Sequence, residues 1–228
     1  MTSRIDAAAA SLRRDSRAFT RKNLFFAAAR LGGARDYDAF VAGPLARRLR
    51  AGPIAGLLPA PDPRRTVRLP RECDAYFPAA ILLVDRPELV ELFAASGVLV
   101  QARIAVVCVD GTPRAVVRWL VRGIRAGYRA PVGYLHDAAT VLYPFACEPL
   151  ATLVEVAHAR TPIVFRDLGL PPSGLPASAL PFHRATGPVV ELEAPPPVAI
   201  VAYAARQLAA MLPRDPWLAP IRRSRRSG

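Results

Sequence analysis

The chain is poor in the residues that build metal and redox centres. Its 228 residues include three cysteines, at 73, 108 and 147, and three histidines, at 136, 158 and 183. All six are scattered and none forms a C-x-x-C pair. No zinc site is legible, and a reducing, cytoplasmic compartment is the simplest expectation. Long apolar runs are also missing. Stretches such as Ala79-Ala-Ile-Leu-Leu-Val84 fall far short of the roughly 18 residues that span a bilayer, so no membrane partner is expected. The N-terminus MTSRIDAAAASLRRDS has no apolar core ahead of a cleavage site, so no secretory signal is expected. There is no G-x-G-x-x-G, Walker A loop, H-E-x-x-H or G-x-S-x-G, and nicotinamide, ATP and α/β-hydrolase chemistry lose support.

Negative charge is scarce as well. Eighteen acidic residues face 31 basic ones, a net charge of +13 and a pI near 11.0. Lys22 is the single lysine; all other basic residues are arginine. Residues 1–79 hold 15 basic and 7 acidic residues, a net of +8, while residues 80–160 are nearly balanced at 8 and 7. A basic head on a near-neutral centre favours a polyanionic partner for the head. A solvated arginine surface with no partner is the plainer alternative.

Apolar residues make up 52% of the chain, enough for a folded core. In the head, Ile5, Ala8, Ala9 and Leu12 recur at helical spacing over residues 4–16. A second helix is expected over 20–31, with Thr20 as N-cap and Gly32-Gly33 as its stop. A third runs from about Tyr37 to Leu49, kinked or broken at Gly43-Pro44. Three short helices suit a helix-turn-helix or winged-helix module, or a small bundle packed on the rest of the chain. In the first case Arg13, Arg14, Arg17, Arg21, Lys22, Arg47, Arg48 and Arg50 supply phosphate contacts, which position a duplex without reading its bases. Residues 53–79 are rich in proline and arginine and read as a linker with one short strand near Thr66–Leu69.

From residue 80 the pattern turns α/β. Buried strands are expected at Ala80–Val84, Ile104–Val109, Pro131–Leu135 and, more weakly, Ile163–Phe165. Helices alternate with them, one over Pro87–Ser96 and ended by Gly97. The fold class is therefore α/β, with a small N-terminal helical domain (1–52), the linker, a parallel-sheet domain (80–212) and a basic tail (213–228). Gly187–Glu193 is a candidate edge strand and residues 198–212 a final amphipathic helix.

Function in such a sheet belongs at the C-terminal strand ends. Asp85, Asp110 and Asp137 each follow one of the first three strands. Neighbouring carboxylates there can hold Mg²⁺, although aspartate after a strand is also ordinary turn chemistry. Arg114, Arg118, Arg122, Arg125 and Arg129 fall on one face of the helix that Thr112-Pro113 opens. That stripe is a solvated face or a continuation of a phosphate track.

The runs ILLVDRPELVELFAASGV, IAVVCVDGTPRAVVRWL, PVGYLHDAAT and FRDLGLPPSGLP, in this order, resemble the Toprim domain of the type IIB topoisomerase A subunit. That family includes topoisomerase VI, its meiotic DNA-breaking relative and related bacterial Toprim proteins of defence systems. FTRKNLFFAAARLGG is similar to the helix of the winged-helix domain that precedes Toprim there. The resemblance covers roughly residues 18–182. It implies a winged-helix-like head on a Toprim-like sheet and a Mg²⁺ site at Asp85 and Asp137. The family's first acid, usually Glu, is Asp85 here. Its D-x-D falls on Asp137-Ala138-Ala139, with the second Asp replaced by Ala. Where the family carries its DNA-attacking Tyr, this chain offers Phe25 and Phe26, which cannot form a phosphotyrosine ester; Tyr37 is the nearest substitute. No catalytic residue is assigned. The expectation is a DNA-binding protein without transesterase activity. The alternatives are a Mg²⁺-dependent nuclease using water, or a structural partner of a second protein subunit.

Overall fold

The computed structural model describes residues 2–33, 35–60, 78–97, 103–108, 118, 122–123, 131–139, 165–169 and 189–212. Within these the chain is mixed α/β. The expected strand near Thr66–Leu69 and the basic tail lie outside them.

The head opens with α1 (Thr2–Asp15) and α2 (Arg21–Arg30). Thr20 caps α2 as its sequence predicts. Its Oγ1 accepts the Asn23 N–H at 3.1 Å, while the Asn23 Oδ1 accepts the Thr20 N–H at 2.9 Å. Two otherwise orphaned donors are thus satisfied reciprocally. Gly32, at φ 72°, turns the chain out of the helix, and the Gly33 N–H bonds back to the Ala28 carbonyl at 2.9 Å. A Cβ on Gly33 would lie 2.9 Å from that carbonyl oxygen, so the close approach itself requires glycine here.

The third helix does not break at Gly43-Pro44. It runs as α3 (Tyr37–Phe40), a π turn over Val41–Leu45, and α4 (Ala46–Arg50). Proline lacks the N–H that a regular turn would use. The helix widens by one residue around it, and the Ala46 N–H reaches back to the Val41 carbonyl. Ile5, Ala8, Leu12, Phe19, Leu24, Phe25, Phe40 and Leu45 form the head's core, all at 7% exposure or less. Ile54 joins them, and Phe19 pairs with Leu57 in an isolated parallel bridge.

The sheet runs in the order β2-β1-β3-β5, all parallel: β1 is Ala80–Val84, β2 Ile104–Cys108, β3 Val132–Leu135 and β5 Phe165–Asp167. Every β1 side chain is fully buried, as its unbroken run of apolar residues requires of a central strand covered on both faces. α5 (Pro87–Ser96) begins at Pro87 and ends at Gly97 in the left-handed region. It packs Leu89, Leu92 and Phe93 against Ala80, Leu82 and Val84. Burying a Phe or Leu this fully stabilises the fold by about 1.5–3 kcal/mol per side chain. The last helix, α6 (Pro197–Met211), adds Ile200, Val201, Ala204 and Leu208 to this core and also touches α1.

A second, two-stranded pairing closes the strand-end side. β4 (Ala138–Ala139) runs antiparallel to β6 (Val189–Val190). The segment after β6 then ties the two cores together: Leu192 is buried in the sheet-side core and Ala194 in the head's.

Candidate functional site

β1 and β3 are parallel neighbours, with Val84 paired to Leu135. Two residues beyond that pair, at equal depth along both strands, stand Arg86 and Asp137. The register alone brings them together. The Arg86 guanidinium grips the Asp137 carboxylate with two nitrogens on two oxygens, at 2.5 and 3.0 Å. The short antiparallel pairing of β4 with β6 carries Glu191 and Glu193 to the same place. One guanidinium nitrogen lies 2.8 Å from Glu193 Oε2, the other 3.8 Å from Glu191 Oε2. Asp85, beside Arg86 in the chain, has its Oδ1 3.9 Å from Arg86 Nε.

The head closes the cluster from the other side. Lys22 on α2 pairs with Glu191 at 2.5 Å. Asn23 donates its side-chain amide to the Glu193 carbonyl at 2.8 Å, and Arg30 donates to the Ala194 carbonyl. The Leu192 N–H donates to Asp137 Oδ1 at 2.8 Å. Four carboxylates thus surround one arginine, with one lysine at the edge.

The energetics follow from burial. The Glu193 side chain is fully buried, and neither of its oxygens has a hydrogen bond among the described residues. Its contact with Arg86 is an ion pair by distance, with the N–H not aimed at the oxygen. Burial pushes the Glu193 carboxyl up to about 7; Arg86 and Lys22 pull it down, and Asp137 and Glu191 add to the rise. Asp85 is also held above the usual carboxylate range, chiefly by burial, opposed by Arg86 and assisted by Asp137. Burial disfavours the Arg86 charge, but Glu193, Asp137 and Asp85 outweigh it and bind its proton more firmly.

Of the three strand-end aspartates, Asp85 and Asp137 both lie beside Arg86; Asp110 lies outside the described residues. Arg13, Arg14, Arg17, Arg47 and Arg50 are exposed on the head. Arg48 instead pairs with Asp6 at 2.7 Å and donates to the Gly52 carbonyl at 2.9 Å. Arg21 is half-buried, its Nε without a hydrogen-bond partner. Of the arginine stripe, Arg118 and Arg122 are exposed, and Arg114, Arg125 and Arg129 lie outside the described residues.

Phe25 and Phe26 are buried at 5% and 6% exposure. Phe25 packs edge-on against Phe26 and Tyr37 and tilted against Phe40, with ring centroids 5.2–5.6 Å apart. Tyr37 is half-buried between this aromatic group and the carboxylates. Lys22 lies 5.6 Å from its ring centre, and burial, then Glu88 and Glu193, hold its hydroxyl in the protonated form.

Sequence reasoning missed Arg86, Glu191 and Glu193. Two glutamates at strand spacing in an acid-poor chain were the available signal for the latter pair. A separate cavity of about 210 Å³ opens between α1, α5 and α6, lined by Leu92, Ala95, Val198 and Val201 beside Asp15 and Arg17. It is mostly apolar and shares no residue with the carboxylate cluster.

No family model, no curated protein and no solved structure matches the chain.

Proposed function

We propose that the chain is a DNA-binding protein, a degenerate relative of the type IIB topoisomerase A subunit that holds a duplex without cutting it. The observation that carries this reading is the group of exposed arginines where α1 ends. Arg13, Arg14 and Arg17 are all exposed and lie within five residues of chain. Arginines held on one short stretch of surface suit the closely spaced phosphates of a nucleic-acid backbone.

Two further features support binding without transesterification. The side chains where the resemblance expects a nucleophile are phenyl rings shut inside an aromatic core. Of the strand-end aspartates, Asp137 is engaged internally by both its oxygens. DNA held this way is recognised by its backbone, so affinity depends strongly on salt and weakly on sequence.

Fluorescence anisotropy with an arbitrary labelled duplex at low salt tests the reading. Saturable binding, with no covalent protein–DNA adduct and no cleavage of a supercoiled plasmid in Mg²⁺, is the expected result. Absence of binding at low salt refutes it. Mg²⁺-dependent cutting that Asp137→Asn abolishes would assign a nuclease instead.

A further inference from the structure

We propose that Arg86 is the resident cation of the strand-end cluster: its guanidinium fills the place where a divalent ion would neutralise Asp85, Asp137 and Glu193, and so excludes one. The inference concerns ions and not DNA, so it stands or falls separately from the reading above.

The residues present do not fit a Mg²⁺ ion. Mg²⁺ demands near-octahedral oxygen ligands at roughly 2.0–2.1 Å around an open centre, and here the Arg86 guanidinium stands between the Asp137 and Glu193 carboxylates. Asp137 gives both oxygens to Arg86, and its Oδ1 also accepts the Leu192 N–H. Arg86 cannot step aside by losing its proton, because a guanidinium stays charged in proteins. Its backbone is fixed as well, between the end of β1 and Pro87 at the first position of α5. Among the described residues no group of three or more acids, histidines or cysteines is disposed to hold a metal ion.

The cluster nevertheless has the composition of a cation site. Asp85, Asp137, Glu191 and Glu193 converge from β1, β3 and the segment after β6, and Arg86 lies within 3.9 Å of all four. Glu193 is the independent sign that a cation belongs there. It is fully buried, 2.8 Å from an Arg86 nitrogen, and has neither oxygen hydrogen-bonded. A carboxylate placed so is costly unless a positive charge sits against it. The chain supplies that charge covalently, from the residue next to Asp85. Removing Arg86 leaves four neighbouring carboxylates without the charge that offsets them, and a hard divalent cation is the chemical class that restores neutrality.

Mn²⁺ alone is the probe, followed by water-proton relaxation and by thermal melting, without nucleic acid. The parent protein is expected to show no saturable Mn²⁺ binding and no rise in melting temperature with millimolar Mn²⁺ or Mg²⁺. Arg86→Gln is expected to melt lower, to bind Mn²⁺ at one site, and to recover part of its lost melting temperature as the ion is added. If R86Q folds only in the presence of Mn²⁺, that dependence is the same result. Arg86→Lys keeps the charge without the fork and is expected still to exclude the ion. The double variant Arg86→Gln with Asp137→Asn is expected to lose the gained site. Stoichiometric Mn²⁺ binding by the parent that Asp137→Asn weakens overturns the proposal. So does an R86Q protein that neither binds Mn²⁺ nor is rescued by it.

Discussion

Arg86 and Asp137 occupy matching positions two residues beyond the paired ends of β1 and β3, and meet through two N–H···O contacts of 2.5 and 3.0 Å. Each is mostly buried, at 19% and 24% side-chain exposure. Removing one partner of such a pair leaves the other's charge without compensation. Asp137→Ala is therefore expected to destabilise the fold by ~3 kcal/mol, since it also orphans the Leu192 N–H. Urea unfolding of parent and variant measures it; a change within experimental error would show that the pair is not structural.

The pH dependence of stability follows from Glu193. Its carboxyl titrates at about 7 in the fold against an ordinary 4.5. Between those values the folded state holds the extra proton. Stability thus falls as pH rises through this window and levels off above it, by about 3 kcal/mol at most. Asp85 is shifted in the same direction and adds to the slope. Glu193→Gln is expected to flatten the profile of melting temperature between pH 5 and pH 8. A parent whose melting temperature climbs across that range contradicts the assignment.

Asn23 joins head and sheet. It completes the cap of α2 and donates to the Glu193 carbonyl at 2.8 Å, at 1% exposure. Asn23→Ala removes both roles, and the expected loss is about 2 kcal/mol. Amide exchange is expected to quicken in α2 and at Leu192 and Ala194 together. Faster exchange in α2 alone would mean that Asn23 serves only as a cap.

Phe25 is held by three aromatic neighbours in the head core. Phe25→Ala is expected to lower stability by about 3–5 kcal/mol, as large-to-small aromatic changes in cores do. Phe25→Tyr buries a hydroxyl in an apolar setting and is expected to destabilise by ~1–3 kcal/mol. It is also expected to form no covalent adduct with DNA, which denaturing electrophoresis of labelled duplex reads directly.

β1 and α5 were legible because they obey local rules. Ala80–Val84 is apolar without interruption, and Pro87 and Gly97 bracket the helix that follows. The π turn at Pro44 was not legible, because sequence marks the missing N–H without saying whether the helix breaks or widens around it. The convergence of Asp85 and Asp137 was expected from their strand-end positions. Arg86 escaped notice because its partners come from three stretches of chain, at 85, 137 and 191–193, and only strand register and the β4–β6 pairing unite them. Lys22 read as a phosphate contact, yet pairing with Glu191, 169 residues away, cannot be seen in a local pattern.

The most direct test of DNA binding by the head is the salt dependence of duplex affinity, measured for the parent and for the triple variant Arg13→Gln, Arg14→Gln, Arg17→Gln. The expected result is a linear fall of log K with log salt in the parent. The slope should be shallower by up to about 3 in the variant, near 0.9 for each lost phosphate contact, with the melting temperature of the protein unchanged. Equal slopes for the two proteins, or no duplex binding by either at low salt, would contradict it.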